Sequence, residues 1–209
     1  LIIGQNSSGD AGALQADSVT FTAIDSTSGW NQIVFYNYTR DDLTLIKNST
    51  IEHAVNGIYC VSADPTISNS LIRNNTDGIE ADAGSAPVIM GNTFSGNQRP
   101  VSIYGRRIDN NLSENIYLDN YDAEAIPSNY IYVYGNTNDE RLYDNKTYDW
   151  LKDGAPYRIM GNLSVWEDGD INQVSILKIY PQTIVAFDPS KNLIIGQNSY
   201  GDAGALQAD

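Results

Sequence analysis

The sequence is short of the residues that most often carry chemistry. Its 209 residues include one cysteine (Cys60), one histidine (His53) and two methionines. A lone cysteine excludes a disulfide framework; with a lone histidine it also excludes Cys/His zinc clusters and copper sites built from Met, His and Cys. Any Ser–His or Cys–His nucleophile would have to run through His53. Basic residues are scarce too: 12 Lys and Arg stand against 26 Asp and Glu, for a net charge of −14. Nucleic acid and anionic membrane surfaces are therefore poor partners. No apolar run approaches the ~20 residues of a membrane span, so no membrane insertion is expected in this segment. Charged residues make up only 18% and hydrophobic ones 41%, too apolar for a disordered acidic tail.

What the sequence does have is repetition on two scales. Residues 1–17 (LIIGQNSSGDAGALQAD) return as residues 193–209 (LIIGQNSYGDAGALQAD) with one difference, Ser8 against Tyr200. The separation is domain-sized, which makes the chain one period, plus a short overlap, of a tandem array. A shorter period runs through the middle. Aligning the segments that start at Thr44, Thr66 and Val88 produces four apolar columns: Ile46/Ile67/Ile89, Ile51/Ile72/Phe94, Ile58/Ile79/Val101 and Cys60/Ala81/Ile103. Each steps by 21 and then 22 residues. Helical periodicity is absent, and Gly, Asn, Ser and Pro interrupt short β-branched runs. These features describe a coil of two or three short strands per turn, whose apolar face only its neighbours can complete. Cys60 reads as a small buried hydrophobe. Asn48 and Asn69 share a register and are expected to stack as an inward amide ladder.

The spacing Ile72, Asn75, Gly78, Ile79, with a looser copy at Ile51, Ala54, Gly57 and Ile58, resembles the repeats of the right-handed parallel β-helix family that includes NosD-type and archaeal tandem-repeat surface proteins. The resemblance implies an all-β, right-handed parallel β-helix with 21–22-residue coils and a less regular strand/loop region. The expected organisation is coils over 1–105, an irregular decoration over 106–154, and the opening strands of the next tandem unit over 155–209.

Many proteins of this fold cleave polysaccharides, so carboxylates need weighing. Asn75-Thr76-Asp77 matches one of the four motifs of pectin-type hydrolases. The other three are missing: Asp41-Asp42 precedes it, Glu52 and Ala54 flank His53, and Asp109 follows Arg107-Ile108. No catalytic residue is assigned, and no cofactor beyond a possible calcium ion. Asp168, Asp170 and Asn172 place oxygen ligands at alternate positions of a turn, as at the start of an EF-hand loop, although Gln173 replaces its turn glycine and a solvated acidic loop is the simpler reading. Six of the seven Asn-X-Ser/Thr sequons, Asn6, Asn37, Asn74, Asn111, Asn145 and Asn162, are candidate glycan acceptors if the protein is exported; Asn48 is set aside because of its expected inward ladder. The 14 tyrosines suit strand packing, or platforms for sugar rings.

The expectation is therefore an extracellular, cell-surface structural glycoprotein, archaeal as the resemblance implies, without enzymatic activity. It would be one repeat of an array forming a wall, sheath, filament or stalk, with neighbouring copies of itself as partners, joined end to end or laterally. The alternative is a non-catalytic polysaccharide-binding or adhesion module, and after it a lyase or hydrolase. Aromatic residues lining one long face would favour binding; a cleft with close carboxylates and an arginine would favour catalysis.

Overall fold

The computed structural model describes residues 1–5, 11–109, 111–134, 139–167, 172–196 and 203–208. Short β-branched runs form strands of two to seven residues, and the chain passes through three strand positions per turn before returning one level up. Ala54–Cys60, Thr66–Ser68 and Leu71–Arg73 make one such turn; Asp77–Ala81, Val88–Met90 and Thr93–Ser95 make the next. Strands in the first position join into one eight-stranded sheet. Those in the second and third positions each form a five-stranded sheet followed by a three-stranded one. All the ladders between these strands are parallel, and parallel strands joined by crossovers wind right-handed in nearly all known cases. Among the described residues the only helical turns are two short 3-10 segments, Asp41–Leu43 and Gly105–Arg107.

The apolar columns are the core. Ile46 pairs with Ile67 and Ile67 with Ile89; Ile51 pairs with Ile72 and Ile72 with Phe94; Ile58 pairs with Ile79 and Ile79 with Val101. All nine side chains are fully buried. Cys60 lies in register with Ala81, buried as a small apolar group. Each buried Ile contributes roughly 1.5–3 kcal/mol relative to exposure. Two glycines let successive turns approach closely within the eight-stranded sheet: a Cβ on Gly57 would come within 2.6 Å of the Gly78 carbonyl oxygen, and one on Gly78 would collide with that of Pro100.

The corners correct one expectation. Asn48 and Asn69 do not point inward: both are exposed and hold left-handed backbone, φ 51° and 49°, a conformation that Asn and Gly adopt most readily. The buried ladder begins one residue later. Ser49, Ser70, Asn92, Asn115 and Asp153 follow one another, each accepting from the backbone N–H of the residue one level below, Asn115 to Asp153 closing the series at 2.9 Å. A second ladder runs Asn75, Asn97, Asn120 and Asn129 at the next corner. Asn97 is representative. Its Oδ1 accepts from Asn75 N and Nδ2, and its Nδ2 donates to Ile72 O at 2.8 Å and to Asn120 Oδ1 at 3.1 Å. Every polar atom of that amide is satisfied inside an apolar stack.

The expected boundaries at 106 and 155 also change. Leu112–Ser113 pairs with Val88–Met90, and Ile116–Leu118 with Thr93–Ser95. Ile131–Tyr134 then rejoins the eight-stranded sheet on Arg99–Tyr104, and Tyr157–Ile159 and Val185–Phe187 extend it. The eight-stranded sheet thus runs on past both boundaries, while the second and third positions resume in the three-stranded sheets. The register fades in the sequence because the turn length changes: Val101 pairs with Ile131, thirty residues on, the extra length lying in the loop 119–130.

The two copies of the 17-residue segment sit in different phases. Ile2–Ile3 joins the eight-stranded sheet and Gln15–Asp17 the second position, whereas Leu193–Ile195 takes the second position and Gly204–Ala208 the third.

Candidate functional site

The expected calcium ligands Asp168 and Asp170 lie outside the described residues, as does Asn6; Asn172 is exposed. Glu167, just before that loop, accepts from Asn145 N at 2.8 Å and from Ser175 Oγ at 3.0 Å. Among the glycan candidates, Asn37 is exposed in a turn and Asn74 is exposed at a left-handed corner. Asn145 is exposed, with its Oδ1 accepting from Val174 N, and Asn162 is half-buried, accepting from Asn192. Asn111 departs from the expectation. It is buried, and its Nδ2, the atom a glycan would occupy, donates to Pro87 O and Arg107 O. Its burial follows from its place at a corner of the continuing stack. Asn48, set aside from sequence, is exposed, with its Nδ2 bonded to Asp17.

His53 occupies a left-handed corner, φ 60°. It lines an open polar groove of about 380 Å3 with Ser26, Thr27, Asn74, Thr76 and Gln98. Its Nε2 is 3.9 Å from Glu52, whose carboxylate is already bound by Arg73 Nε at 2.7 Å. That pairing holds the Glu52 carboxyl below its usual range and keeps it from serving as a base for His53.

The most concentrated set of functional groups lies on the outer side of the eight-stranded sheet. Strand alternation places it there: between inward Ile58 and Cys60 stands Tyr59, between Ile79 and Ala81 stands Glu80, and beside inward Val133 stand Tyr132 and Tyr134. The register runs Tyr59, Glu80, Ser102, Tyr132, Arg158 in one column facing away from the interior, in which Ser102 and Tyr132 are themselves buried, with Tyr104 and Tyr134 paired in the next. The Tyr104 and Tyr134 rings are 6.3 Å apart, and Arg158 lies over Tyr130 and Tyr132 at 5.7 and 5.3 Å. At the near edge Arg99 grips Asp77 with two bonds, Nε at 2.5 Å and Nη2 at 2.7 Å. Asn56 Nδ2 donates to Glu80 at 2.7 Å. Burial, then the neighbouring Asp77, raises the Glu80 carboxyl, and burial raises Tyr59, Tyr104 and Tyr134, so their hydroxyls stay protonated donors.

Several carboxylates of this face are engaged by neighbouring groups. Both oxygens of Asp77 accept from Arg99. Asp82 is committed as well, its Oδ1 accepting from Ser62 N, Gly84 N and Ser85 Oγ. The alternating in–out pattern of these strands could have revealed the face from sequence; the apolar columns drew attention to its other side.

Comparison with known proteins agrees with this architecture. No curated protein and no solved structure shows a significant match. The model of the family described as "Right handed beta helix region" matches residues 3–162. Having that match and a parallel three-sided stack of strands, the chain belongs to the right-handed β-helix family.

Proposed function

We propose that the chain is a non-catalytic structural unit of a tandem β-helix array at a cell surface, forming a stiff acidic rod. The observation that carries this reading is the unbroken eight-stranded parallel sheet with a fully buried interior, in a chain whose first 17 residues return 192 positions later. Such a stack is extended along one axis and has every buried corner amide engaged, properties suited to a support. The test is electron microscopy and surface labelling of the native protein. Extended filaments or rods outside the cell are the expected result; a compact intracellular protein overturns the reading.

One observation favours a second role for the same rod. The tyrosines of the outward face, with Arg158 and the Asp77–Arg99 pair, form a broad polar-aromatic platform of the kind that holds sugar rings by stacking and hydrogen bonds. A polysaccharide lying there would be held and not cut. Tyr59→Ala with Tyr134→Ala should abolish retention on immobilised polysaccharides while leaving the circular dichroism unchanged. Reducing-sugar and unsaturated-product assays should stay at background. Turnover that disappears in Asp77→Asn would overturn the non-catalytic reading.

A further inference from the structure

In a chain of net charge −14, most of the described arginines are neutralised. Arg40, Arg73, Arg99 and Arg158 each meet a carboxylate oxygen at 2.5–2.7 Å. Arg106 and Arg107 differ: among the described residues neither guanidinium pairs with a carboxylate, and both are held by neutral groups. The Ala83 carbonyl accepts from Arg107 Nε at 2.7 Å and from Arg106 Nη2 at 3.4 Å. Arg106 also lies over the Tyr104 and Tyr143 rings, at 5.9 and 5.7 Å. These contacts fix the direction of both groups; the carboxylate that feels their charge is Glu140, buried behind the turn, which accepts from the Arg106 backbone N–H at 2.8 Å and from neither guanidinium.

The two arginines sit on the short turn Gly105–Arg107, where the chain leaves the eight-stranded sheet. With Lys146, Asp109, Asn111 and Ala86 they line a surface pocket of about 210 Å3. Lys146 is 3.4 Å from Asp109 with both side chains about 40% exposed, a pair that solvent screens and an incoming anion can loosen. Three cations line one concavity, and two of them are preoriented with no direct carboxylate bond among the described residues, which suits the fork geometry by which guanidinium groups bind oxyanions.

We propose that Arg106, Arg107 and Lys146 form an oxyanion site for a sulfate or carboxylate group carried on an acidic polysaccharide. The carrier follows from position. Tyr104 belongs to the outward tyrosine face and also lies under Arg106, so a polymer crossing Tyr104 and Tyr134 brings its charged substituents to the mouth of the pocket. The carrier thus rests on the polysaccharide-holding reading of that face, whereas the anion site does not.

The test is calorimetric titration of the 209-residue chain at low ionic strength with sodium sulfate, dextran sulfate and unsulfated dextran. It is run on the native protein and on Arg107→Gln, Lys146→Gln and Tyr134→Ala, with circular dichroism to check folding. Dextran sulfate should bind more tightly than free sulfate, and Arg107→Gln and Lys146→Gln should each weaken it by about tenfold. Lys146 is at the surface and its replacement keeps the test open should Arg107→Gln, which loses the Ala83 bond, fold poorly. Tyr134→Ala separates the two readings: it should weaken both polymers while leaving free sulfate unchanged. Sulfate binding with no preference for the polymer overturns the carrier. Absence of sulfate and dextran sulfate binding, or binding that survives both cation substitutions in folded protein, overturns the site.

Discussion

Asp153 stands where the corner column would place another asparagine, and it accepts three bonds: from Asn115 N and Asn115 Nδ2, both at 2.9 Å, and from the Tyr117 hydroxyl at 3.0 Å. Removing an acceptor from buried donors costs about 1–3 kcal/mol per group. Asp153→Ala should therefore lower unfolding stability by about 3–5 kcal/mol in urea, and Asp153→Asn should recover most of it; a loss below ~1 kcal/mol for the alanine variant would count against the ladder as a stabilising device. Glu140 supplies a pH test. Burial raises its carboxyl from the ordinary 4.5 to about 7, against the opposing pull of the bond from Arg106 N and of the Arg106 and Arg107 charges. The folded form then binds a proton that the unfolded form releases between those values. Its contribution is fully present below pH 4.5 and is lost as pH rises through 7, at up to about 1.4 kcal/mol per pH unit. Glu140→Gln should flatten that slope in melts collected from pH 4.5 to 8. Neither residue was legible as special: both Asp153 and Glu140 lie beyond the change in turn length, where the period no longer marks inward positions.

Among the elements, the short central strands behave as the 21- and 22-residue spacing predicts. Ile72, in the strand Leu71–Arg73, is fully buried in register between Ile51 and Phe94. Ile72→Asp places a carboxylate there without a partner and should cost several kcal/mol, read as a lower urea midpoint. A shift below ~1 kcal/mol, the size of an ordinary substitution, would mean the column is not a core. The corner ladders were half legible. Asn75 stood in the motif Ile72–Asn75–Gly78–Ile79, but Asn97 escaped because Phe94 and Pro100 replace the Ile and Gly around it. Asn48 and Asn69 were off by one residue, since aligned asparagines in a sequence do not reveal which adopts positive φ and which buries its amide.

For the whole molecule, an excess of 14 negative charges opposes its own compaction, because 26 acidic residues face only 12 basic ones. Raising sodium chloride from about 10 to 150 mM, which shortens the screening length from roughly 30 to 8 Å, should raise the melting temperature. A fall would show that the exposed ion pairs outweigh the repulsion. The amino-acid order by itself determined the parallel β-helix and its central columns. Identical side chains recurring every 21–22 residues can be buried together only by stacking successive turns in register. The tertiary structure alone decided how far the stack continues, and in which phase. Loops of unequal length hide the later turns from any fixed period, yet leave their strands free to pair. The 17-residue segment shows the limit most directly. Its two near-identical copies take different strand positions, because 17 residues are shorter than one turn and the neighbouring strands determine where they pair.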